Sequence, residues 1–204
     1  MTLTRRHLLA ALPALGAAGL GVGFVRMLHG LNQGHFDPRA INTPLTGRPV
    51  PDFPALPPLS DTPSSPPGLT RGDFQNIKQP ILLFIWASWC LPCVEEIPFI
   101  RHLATSLAIP QSSHTAPLAL WGLCYKDHPT QAAHWLEQAG HPFTRLGMDR
   151  EGQAAIDWGV TGVPETFLIM PDPQTGGRIV WHGTGSLTDT LYQAHIHPQL
   201  ETVP

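Results

Sequence analysis

Residues 81–93 read ILLFIWASWCLPC, and this stretch decides the fold. Its first six residues are all apolar, which is typical of a strand buried on both faces of a sheet. After the second cysteine, apolar residues recur at helical spacing, at positions 94, 97, 100, 103 and 107. The sequence therefore predicts that a buried strand ends, and a long helix begins, at the pair Cys90 and Cys93.

The position of these two cysteines predicts redox chemistry. A cysteine at a helix N-terminus meets unpaired N–H groups and the positive end of the helix dipole, and both favour thiolate over thiol. Two intervening residues, one of them a proline that fits a first helical turn, keep the sulfur atoms within reach of each other. We expect Cys90 to be the exposed attacking thiolate and Cys93 the shielded thiol that resolves a mixed disulfide.

A metal site is the competing interpretation of the C-x-x-C motif. Structural zinc usually needs a second pair of ligands, and no second C-x-x-C follows. The eleven histidines are scattered, and the closest pair, His195 and His197, lies near the C-terminus, where we expect it on the surface. The sequence therefore favours a redox pair over a metal site.

Composition excludes several classes of protein. The chain has 204 residues, with 12 Lys and Arg against 15 Asp and Glu, and a formal net charge of −3. So weak a charge gives no electrostatic reason to expect a nucleic acid as partner. Three cysteines are too few for a scaffold held together by disulfides. Without the N-terminal leader and a proline-rich stretch, roughly 150 residues remain, which suits one ordinary domain.

The N-terminus predicts export or membrane anchoring. Arg5 and Arg6 precede an uncharged, mostly apolar run from Leu8 to Val25, which Arg26 closes. Eighteen such residues lie at the lower edge of what spans a bilayer and exceed an ordinary signal-peptide core. We expect residues 1–28 to be an uncleaved single-pass anchor, although the arginine pair also resembles a twin-arginine export signal. Basic residues stay on the cytoplasmic side, so the chain after residue 28 should face the oxidising side.

A proline-rich stretch separates this leader from the first predicted strand. Nine of residues 44–68 are prolines. Because proline fixes φ and lacks an N–H donor, the stretch can be neither regular helix nor central strand. We expect a tether over residues 29–46, and then an edge segment that lies on a domain of residues 47–204.

The remaining periodicity predicts an α/β domain. Apolar runs predict three more strands, and amphipathic stripes predict three more helices. The strands are Leu118–Tyr125, Glu165–Met170 and Arg178–His182; the helices lie at Ala132–Ala139, at Gln153–Trp158 and after a cap of Ser186 and Asp189, with Leu187, Leu191 and Ala194 facing inward. The order β-α-β-α-(α)-β-β-α implies a mixed central sheet with helices on both faces.

Around the cysteines the sequence resembles the thioredoxin fold. The motif Trp89-Cys90-Leu91-Pro92-Cys93, between strand and helix, is similar to the active site of that fold. Pro98 matches the proline that kinks the helix in that family. The resemblance implies that Trp89 and Pro92 form a wall of the active site.

A second motif, Gly162-Val163-Pro164, resembles the thioredoxin loop whose cis-proline faces the two cysteines. The resemblance implies a cis peptide bond before Pro164. It also implies that Val163 and Pro164 form the loop whose backbone pairs with an extended substrate peptide, a form of strand addition.

Three longer segments are similar to the DsbE/CcmG family, membrane-anchored thioredoxin-like proteins of cytochrome c maturation. The segments are Gly47–Phe53, Gly122–Asp127 and Gly159–Phe167. The resemblance implies a periplasmic domain, anchored in the bacterial inner membrane, that reduces disulfides on the path to apocytochrome c. The substrate is then apocytochrome c, through its haem-binding C-x-x-C-H, or an intermediate thiol protein. A membrane thiol-electron transporter would return the electrons, and no small-molecule cofactor beyond the redox-active disulfide would be needed.

The same resemblance makes Glu96 and Glu165 supporting acids close to the cysteines. Glu96 lies three residues after Cys93, on nearly the same helix face, where a carboxylate can take or return the Cys93 proton. The alternative is that Glu95 and Glu96 only complement the helix dipole. Phe84 stands where ordinary thioredoxin has a buried aspartate, so a buried acid has to come from elsewhere.

Two other functions stay open. A periplasmic oxidant or isomerase would use the same cysteines, but an oxidant needs its reduced form strongly stabilised, and nothing in Leu91-Pro92 demands that. A non-catalytic module that delivers metal or haem would need a histidine opposite the cysteines, for which His182 is the candidate. We interpret the third cysteine, Cys124, as a small buried strand residue rather than a third redox centre.

Overall fold

The structure is a computed structural model that describes residues 5–32, 45–108 and 118–201. The chain divides into two compact units, 1–38 and 39–204. In the first unit, helix α1 covers Arg5–Asn32 and contains the predicted apolar run. Within the described ranges, no helix combines the length and the apolarity needed to cross a membrane. The predicted anchor and the predicted boundaries at residues 28 and 46 stay predictions.

The second unit is built on a five-stranded mixed sheet in the order β3-β2-β1-β4-β5. The strands are β1 Ile81–Trp86, β2 Ala119–Tyr125, β3 Arg145–Asp149, β4 Glu165–Asp172 and β5 Gly176–Thr184. Strands β1, β2 and β3 are parallel to one another, whereas β4 is antiparallel to both β1 and β5. All six residues of β1 are buried, which confirms the central strand that the apolar run predicts.

Helices cover this sheet. They are α2 Leu91–Glu95, α3 Ile97–Ala108, α4 Pro129–Ala139, α5 Gln153–Asp157, α6 Asp189–Leu191 and α7 His197–Leu200. The predicted long helix after Cys90 is thus two helices, α2 and α3, that meet at Glu96. The break follows from Pro98, which has no N–H to donate to the carbonyl group four residues earlier. Helix α4 ends at Gly140, whose φ of 76° is the left-handed conformation expected of a terminating glycine.

Strand β3 is absent from the sequence-based prediction, which contains only four strands. The strand has five residues, and only Leu146 and Met148 give it the alternation of a strand. Between them Gly147 faces the proline-rich stretch, where an added Cβ would lie 2.7 Å from the Cβ of Leu56. A five-residue strand with glycine at its centre has too weak an apolar pattern to be recognised. The residue that leaves no room for a side chain at Gly147, Leu56, lies about 90 positions earlier in the sequence.

The proline-rich stretch lies on both edges of the sheet, as predicted for an edge segment. Along β3, the N–H groups of Leu146 and Met148 donate to the carbonyl oxygens of Pro67 and Pro57, each at 2.9 Å. Along β5, the N–H of Val50 donates to the Gly177 carbonyl at 3.0 Å. Proline lacks a donor but keeps its acceptor, so it closes an edge strand without offering a new edge for pairing.

The C-terminal helix differs from the prediction in its cap and its register. Thr188, not Ser186, caps α6, because its Oγ1 accepts the Leu191 N–H at 3.3 Å. A π-helical segment, Tyr192–Ile196, follows and adds a residue to the turn. Tyr192, Ile196 and Leu200 are therefore buried, and Ala194, predicted to face inward, is exposed. The inward position of Leu187 is confirmed.

The substitution Gly68→Ala tests whether the proline-rich stretch packs along the edge strand β3. The new Cβ would overlap the Leu56 carbonyl oxygen, a backbone atom that cannot rotate away. We expect the free energy of unfolding, measured by urea denaturation, to fall by about 2 kcal/mol. Gly72→Ala is the matched control, since its Cβ would meet nothing closer than 3.6 Å. Equal stability of the two variants would contradict the described packing of the stretch.

Candidate active site

The junction between β1 and α2 places the two cysteines at the start of a helix. Cys90 is the N-cap residue of α2 and forms a disulfide with Cys93, with the two Cα atoms 5.3 Å apart. The Cys93 N–H donates to the Cys90 Sγ at 3.2 Å. Cys90 is 5% exposed and Cys93 is 1% exposed. Cys90 is therefore the more accessible of the two, but in this disulfide form it is not the openly exposed sulfur that the sequence predicts.

The loop before β4 faces this disulfide. The Val163–Pro164 peptide bond is cis, which confirms the expectation from the thioredoxin resemblance. The Val163 carbonyl oxygen lies 3.4 Å from the Cys90 Sγ, although 73 positions separate the two residues in sequence. Pro164 is buried, and its carbonyl oxygen accepts the Gly185 N–H at 2.8 Å. The structure thus brings Cys90, Val163 and Pro164 together.

An apolar rim surrounds the disulfide. Trp89 is 55% exposed, Leu91 is 67% exposed, and Pro92 is also exposed. The Trp89 indole N–H donates to the Lys126 carbonyl oxygen at 3.0 Å, which fixes the ring beside the cysteines. A groove of about 670 Å³ runs from Trp89 and Ser88 along α4. The predicted wall residues Trp89 and Pro92 therefore lie next to the redox pair.

Asp127 is a buried residue of the site for which sequence reasoning assigns no role. Its carboxylate accepts the Ser88 N–H at 2.6 Å, the Ser88 hydroxyl at 2.9 Å and the His128 N–H at 2.7 Å. Lys126 just before it has a φ of 47°, an uncommon conformation for a residue with a side chain. These contacts tie the turn after β2 to the residues that lead into Cys90. The sequence offers one signal, a carboxylate two residues before α4 begins at Pro129.

Cys124 lies next to this network. It is fully buried in β2 and forms no disulfide, in agreement with its interpretation as a strand residue. Burial raises the pKa of the Cys124 thiol well above its usual range, and the nearby Asp127 carboxylate, 3.7 Å from the sulfur, adds to the rise. A thiol so protected from ionisation is a poor nucleophile.

Phe84 stands where thioredoxin has a buried aspartate, so a buried acid has to come from another position. Glu96 is such an acid. It is 4% exposed, where α2 meets α3, and accepts the Leu187 N–H at 2.8 Å. Burial raises the pKa of Glu96 to about 8, although the hydrogen bond from Leu187 acts in the opposite direction. Glu96 can therefore gain or lose a proton near neutral pH, which the helix-dipole interpretation alone does not require.

Glu165 has a different environment. It is 1% exposed, and both carboxylate oxygens are occupied. Oε1 accepts the Thr161 N–H, the Thr161 hydroxyl and the Gly162 N–H, and Oε2 lies 2.8 Å from Nε2 of His182. Burial alone would raise the pKa of Glu165, but the hydrogen bonds from His182 and Thr161 hold it below its usual value. The environment of Glu165 therefore favours its ionised form, held in one position by hydrogen bonds. Its predicted acid–base role stays a prediction.

Metal ligands are not grouped in the part of the chain that the structure describes. No three histidine, cysteine, aspartate or glutamate side chains there are arranged to hold a metal ion. His182, the residue singled out for metal or haem delivery, lies against Glu165 and stacks on Phe167, with the ring centroids 3.9 Å apart. Its ring is engaged in the interior rather than aimed at a free ligand position.

Comparison with known proteins finds clear relatives. The thiol:disulfide interchange protein DsbE of Xylella fastidiosa strain Temecula1 is 35% identical over 159 residues, which cover 78% of this chain and 71% of that protein. The thiol:disulfide interchange protein HelX of Rhodobacter capsulatus is 34% identical over 190 residues, which cover 93% of each chain. DsbE of Escherichia coli K12 is 29% identical over 165 residues, covering 81% and 79%. No protein-family model matches the chain.

Solved structures agree on the fold. The thioredoxin domain of a thiol-disulfide oxidoreductase from Bacteroides vulgatus superposes with a TM-score of 0.55 at 16% identity, over 76% of this chain and 97% of that one. A thiol-disulfide oxidoreductase from Bacteroides fragilis gives a TM-score of 0.54 at 17% identity, over 72% and 96%. The chain therefore has a thioredoxin-like α/β fold, as its motifs predict.

The raised pKa of Glu96 predicts a pH-dependent stability. The folded protein holds the Glu96 proton more tightly than the unfolded chain, so this contribution is complete below about pH 4 and is lost as the pH rises through 8. Glu96→Gln keeps a neutral side chain at every pH. We expect its free energy of unfolding relative to the original protein to rise by roughly 2–4 kcal/mol between pH 4 and pH 9.

Urea denaturation of the oxidised protein at both pH values measures this difference. Glu95→Gln is the control, because it removes the neighbouring carboxylate at an exposed position. A Glu96→Gln effect that is the same at pH 4 and pH 9 would contradict the raised pKa.

Proposed function

The chain belongs to the DsbE family of thiol:disulfide interchange proteins, and we propose that it reduces disulfides on the path to apocytochrome c. As a family member it is a thiol–disulfide oxidoreductase that works through the Cys90–Cys93 pair. The direction and the substrate are the proposed part. They rest on the likeness of Gly47–Phe53, Gly122–Asp127 and Gly159–Phe167 to proteins of cytochrome c maturation.

The observation that carries the proposal is the placement of Cys90. Its sulfur accepts the Cys93 N–H at the start of α2 and lies 3.4 Å from the carbonyl oxygen of Val163. A thiolate at this position is stabilised by the N–H groups of the helix start, whereas Cys93 is covered. A substrate strand that paired with the Val163 backbone would bring its disulfide to Cys90 rather than to Cys93.

The proposed cycle transfers two electrons from the Cys90–Cys93 pair to the substrate disulfide. The Cys90 thiolate attacks one sulfur of the substrate disulfide, forms a mixed disulfide and releases the other substrate sulfur as a thiolate. Cys93, after losing its proton, attacks the Cys90 sulfur and displaces the second substrate thiolate. The two substrate thiolates take up the proton lost by Cys93 and one proton from solvent, so the substrate leaves as a dithiol and the protein is left with the Cys90–Cys93 disulfide.

Proton transfer is the second part of the proposal. Cys93 is 1% exposed and has to lose its proton before it can resolve the mixed disulfide. Glu96, three residues further along the chain with a pKa of about 8, is suited to accept that proton and to return it when the disulfide is reduced. The cycle uses only side chains of the protein and the two thiol partners, so it requires no small-molecule cofactor.

Location and electron supply complete the proposal. The oxidised protein has to be reduced again, and we assign this step to a membrane thiol-electron transporter. A domain held at the periplasmic face of the inner membrane by residues 1–28 would stay close both to that transporter and to the site of haem attachment. The apolar Leu8–Val25 run behind Arg5 and Arg6 supports this anchoring.

The substitution Cys93→Ala tests the order of the two cysteines. Without the resolving thiol, the mixed disulfide at Cys90 should persist, because no internal nucleophile remains to displace the substrate. We expect a disulfide-linked protein containing an apocytochrome c, or a thiol protein on its path, to be captured from periplasm and released by dithiothreitol. Mass spectrometry of the released protein identifies the substrate.

Cys90→Ala is the matched control and should capture nothing, since Cys93 is more deeply covered. Capture by Cys90→Ala but not by Cys93→Ala would reverse the assignment of the two cysteines. Capture only of proteins unrelated to haem attachment would contradict the cytochrome substrate and favour the general oxidant or isomerase.

A further inference from the structure

Thr161 and Gly162, the two residues before Val163 in the loop that faces the disulfide, have little packing of their own. Thr161 and Gly162 are exposed, and a Cβ added to Gly162 would meet nothing within 4 Å. A single carboxylate oxygen, Oε1 of Glu165, holds these two residues. It accepts the Thr161 N–H at 2.8 Å, the Thr161 hydroxyl at 2.6 Å and the Gly162 N–H at 3.1 Å. Three donors on one oxygen favour the ionised form of that carboxylate.

The other oxygen of the same carboxylate is held by a histidine. Nε2 of His182, on β5, lies 2.8 Å from Oε2 of Glu165, and both side chains are almost completely buried, at 0% and 1% exposure. The imidazole ring stacks on Phe167 with an interplanar angle of 4°. Strand pairing places His182 opposite Phe167 in the register of β4 and β5. The ring is therefore fixed by the strand and by Phe167, and it fixes the carboxylate in turn.

From this chain of contacts we propose that His182 is a positioning residue for the substrate-binding loop. It orients Glu165, Glu165 holds Thr161 and Gly162, and the next residue, Val163, presents its carbonyl oxygen 3.4 Å from the Cys90 Sγ. The inference rests on the proposed role of Val163 in pairing with an extended substrate peptide. In this proposal His182 affects disulfide exchange only through Glu165 and the loop, without contact with the substrate or with either sulfur.

The physical consequence of removing the histidine follows from burial. A carboxylate that loses one of its partners in the interior either rotates toward another donor or takes up a proton. Rotation would carry Oε1 away from its three donors, and protonation would make Oε1 a weaker acceptor for them. Val163 would then sample positions in which its backbone no longer matches a strand bound next to Cys90, and such a misplacement weakens exchange with an extended substrate.

Two disulfides of different size separate this role from general damage. A peptide disulfide with several residues on each side of its cysteine, and no haem-binding sequence, can pair with the Val163 backbone. Hydroxyethyl disulfide is too small to do so. For His182→Leu we expect the rate of exchange with the peptide to fall about tenfold or more through KM, with hydroxyethyl disulfide changed by less than about twofold. The same protein should show faster hydrogen exchange at the Thr161 and Gly162 amides.

Three further variants make the test decisive. His182→Gln retains an N–H donor at a similar distance and should return the peptide rate to within about threefold of the original protein. Thr161→Val removes one bond to Oε1 at an exposed position and should give the same selective loss, to a smaller degree, even if His182→Leu does not fold. Thr166→Ala, which opens a gap at a buried neighbour on β4, is the control for lost stability and should leave the ratio of the two rates unchanged.

The outcomes are distinct. An equal loss with both disulfides, or an unchanged peptide rate in His182→Leu and Thr161→Val, would overturn the positioning role and leave the proposed function standing. An original protein that reduced neither disulfide would contradict the proposed function instead. In that case unchanged exchange of the Thr161 and Gly162 amides in His182→Leu would still overturn the inference, and faster exchange would still support it.

Discussion

The chain has to leave the buried strand β1 and enter helix α2 within four residues, and the active site is built around that junction. The strand cannot move, because all six of its residues are buried and it is paired on both sides. The helix start is fixed as well, since Cys90 caps it. A sulfur held in this way keeps one position relative to the N–H groups that stabilise its thiolate, and every other element of the site is placed against it.

Two carboxylates stabilise the surroundings of this junction. Asp127 ties the turn after β2 to Ser88, two residues before Cys90, and Glu165 ties the Val163 loop from the opposite side. Both accept several N–H groups, so they act as fixed acceptors in places where the backbone would otherwise leave donors unpaired. Glu96 is the exception: it is buried, accepts the Leu187 N–H and has a raised pKa. Among these three acids it is therefore the one suited to exchange a proton with the redox pair.

A feature of this structure could be predicted from the sequence when the residues that determine it lie close together along the chain. Strand β1, the end of α4 at Gly140 and the two cysteines are local patterns, and all could be predicted. Strand β3 could not, because its central glycine is demanded by a segment about 90 positions earlier. The same holds for the acids: nothing near Glu96 in sequence indicates that Leu187 will supply its hydrogen bond. The π-helical segment Tyr192–Ile196 adds a residue to the turn and places Ala194 outward, which the spacing of a regular α-helix cannot anticipate.

The central claim, that the Cys90–Cys93 pair donates electrons to substrate disulfides, is tested most directly by its reduction potential. Equilibrating the protein with glutathione and with dithiothreitol buffers gives the fraction reduced, and for a two-electron couple about 30 mV corresponds to a tenfold change in the equilibrium constant. The account predicts a potential near or below roughly −180 mV, in the range of proteins that give electrons away. A potential near about −120 mV would mean that the pair takes electrons from its partners, and the reductase function would then be wrong.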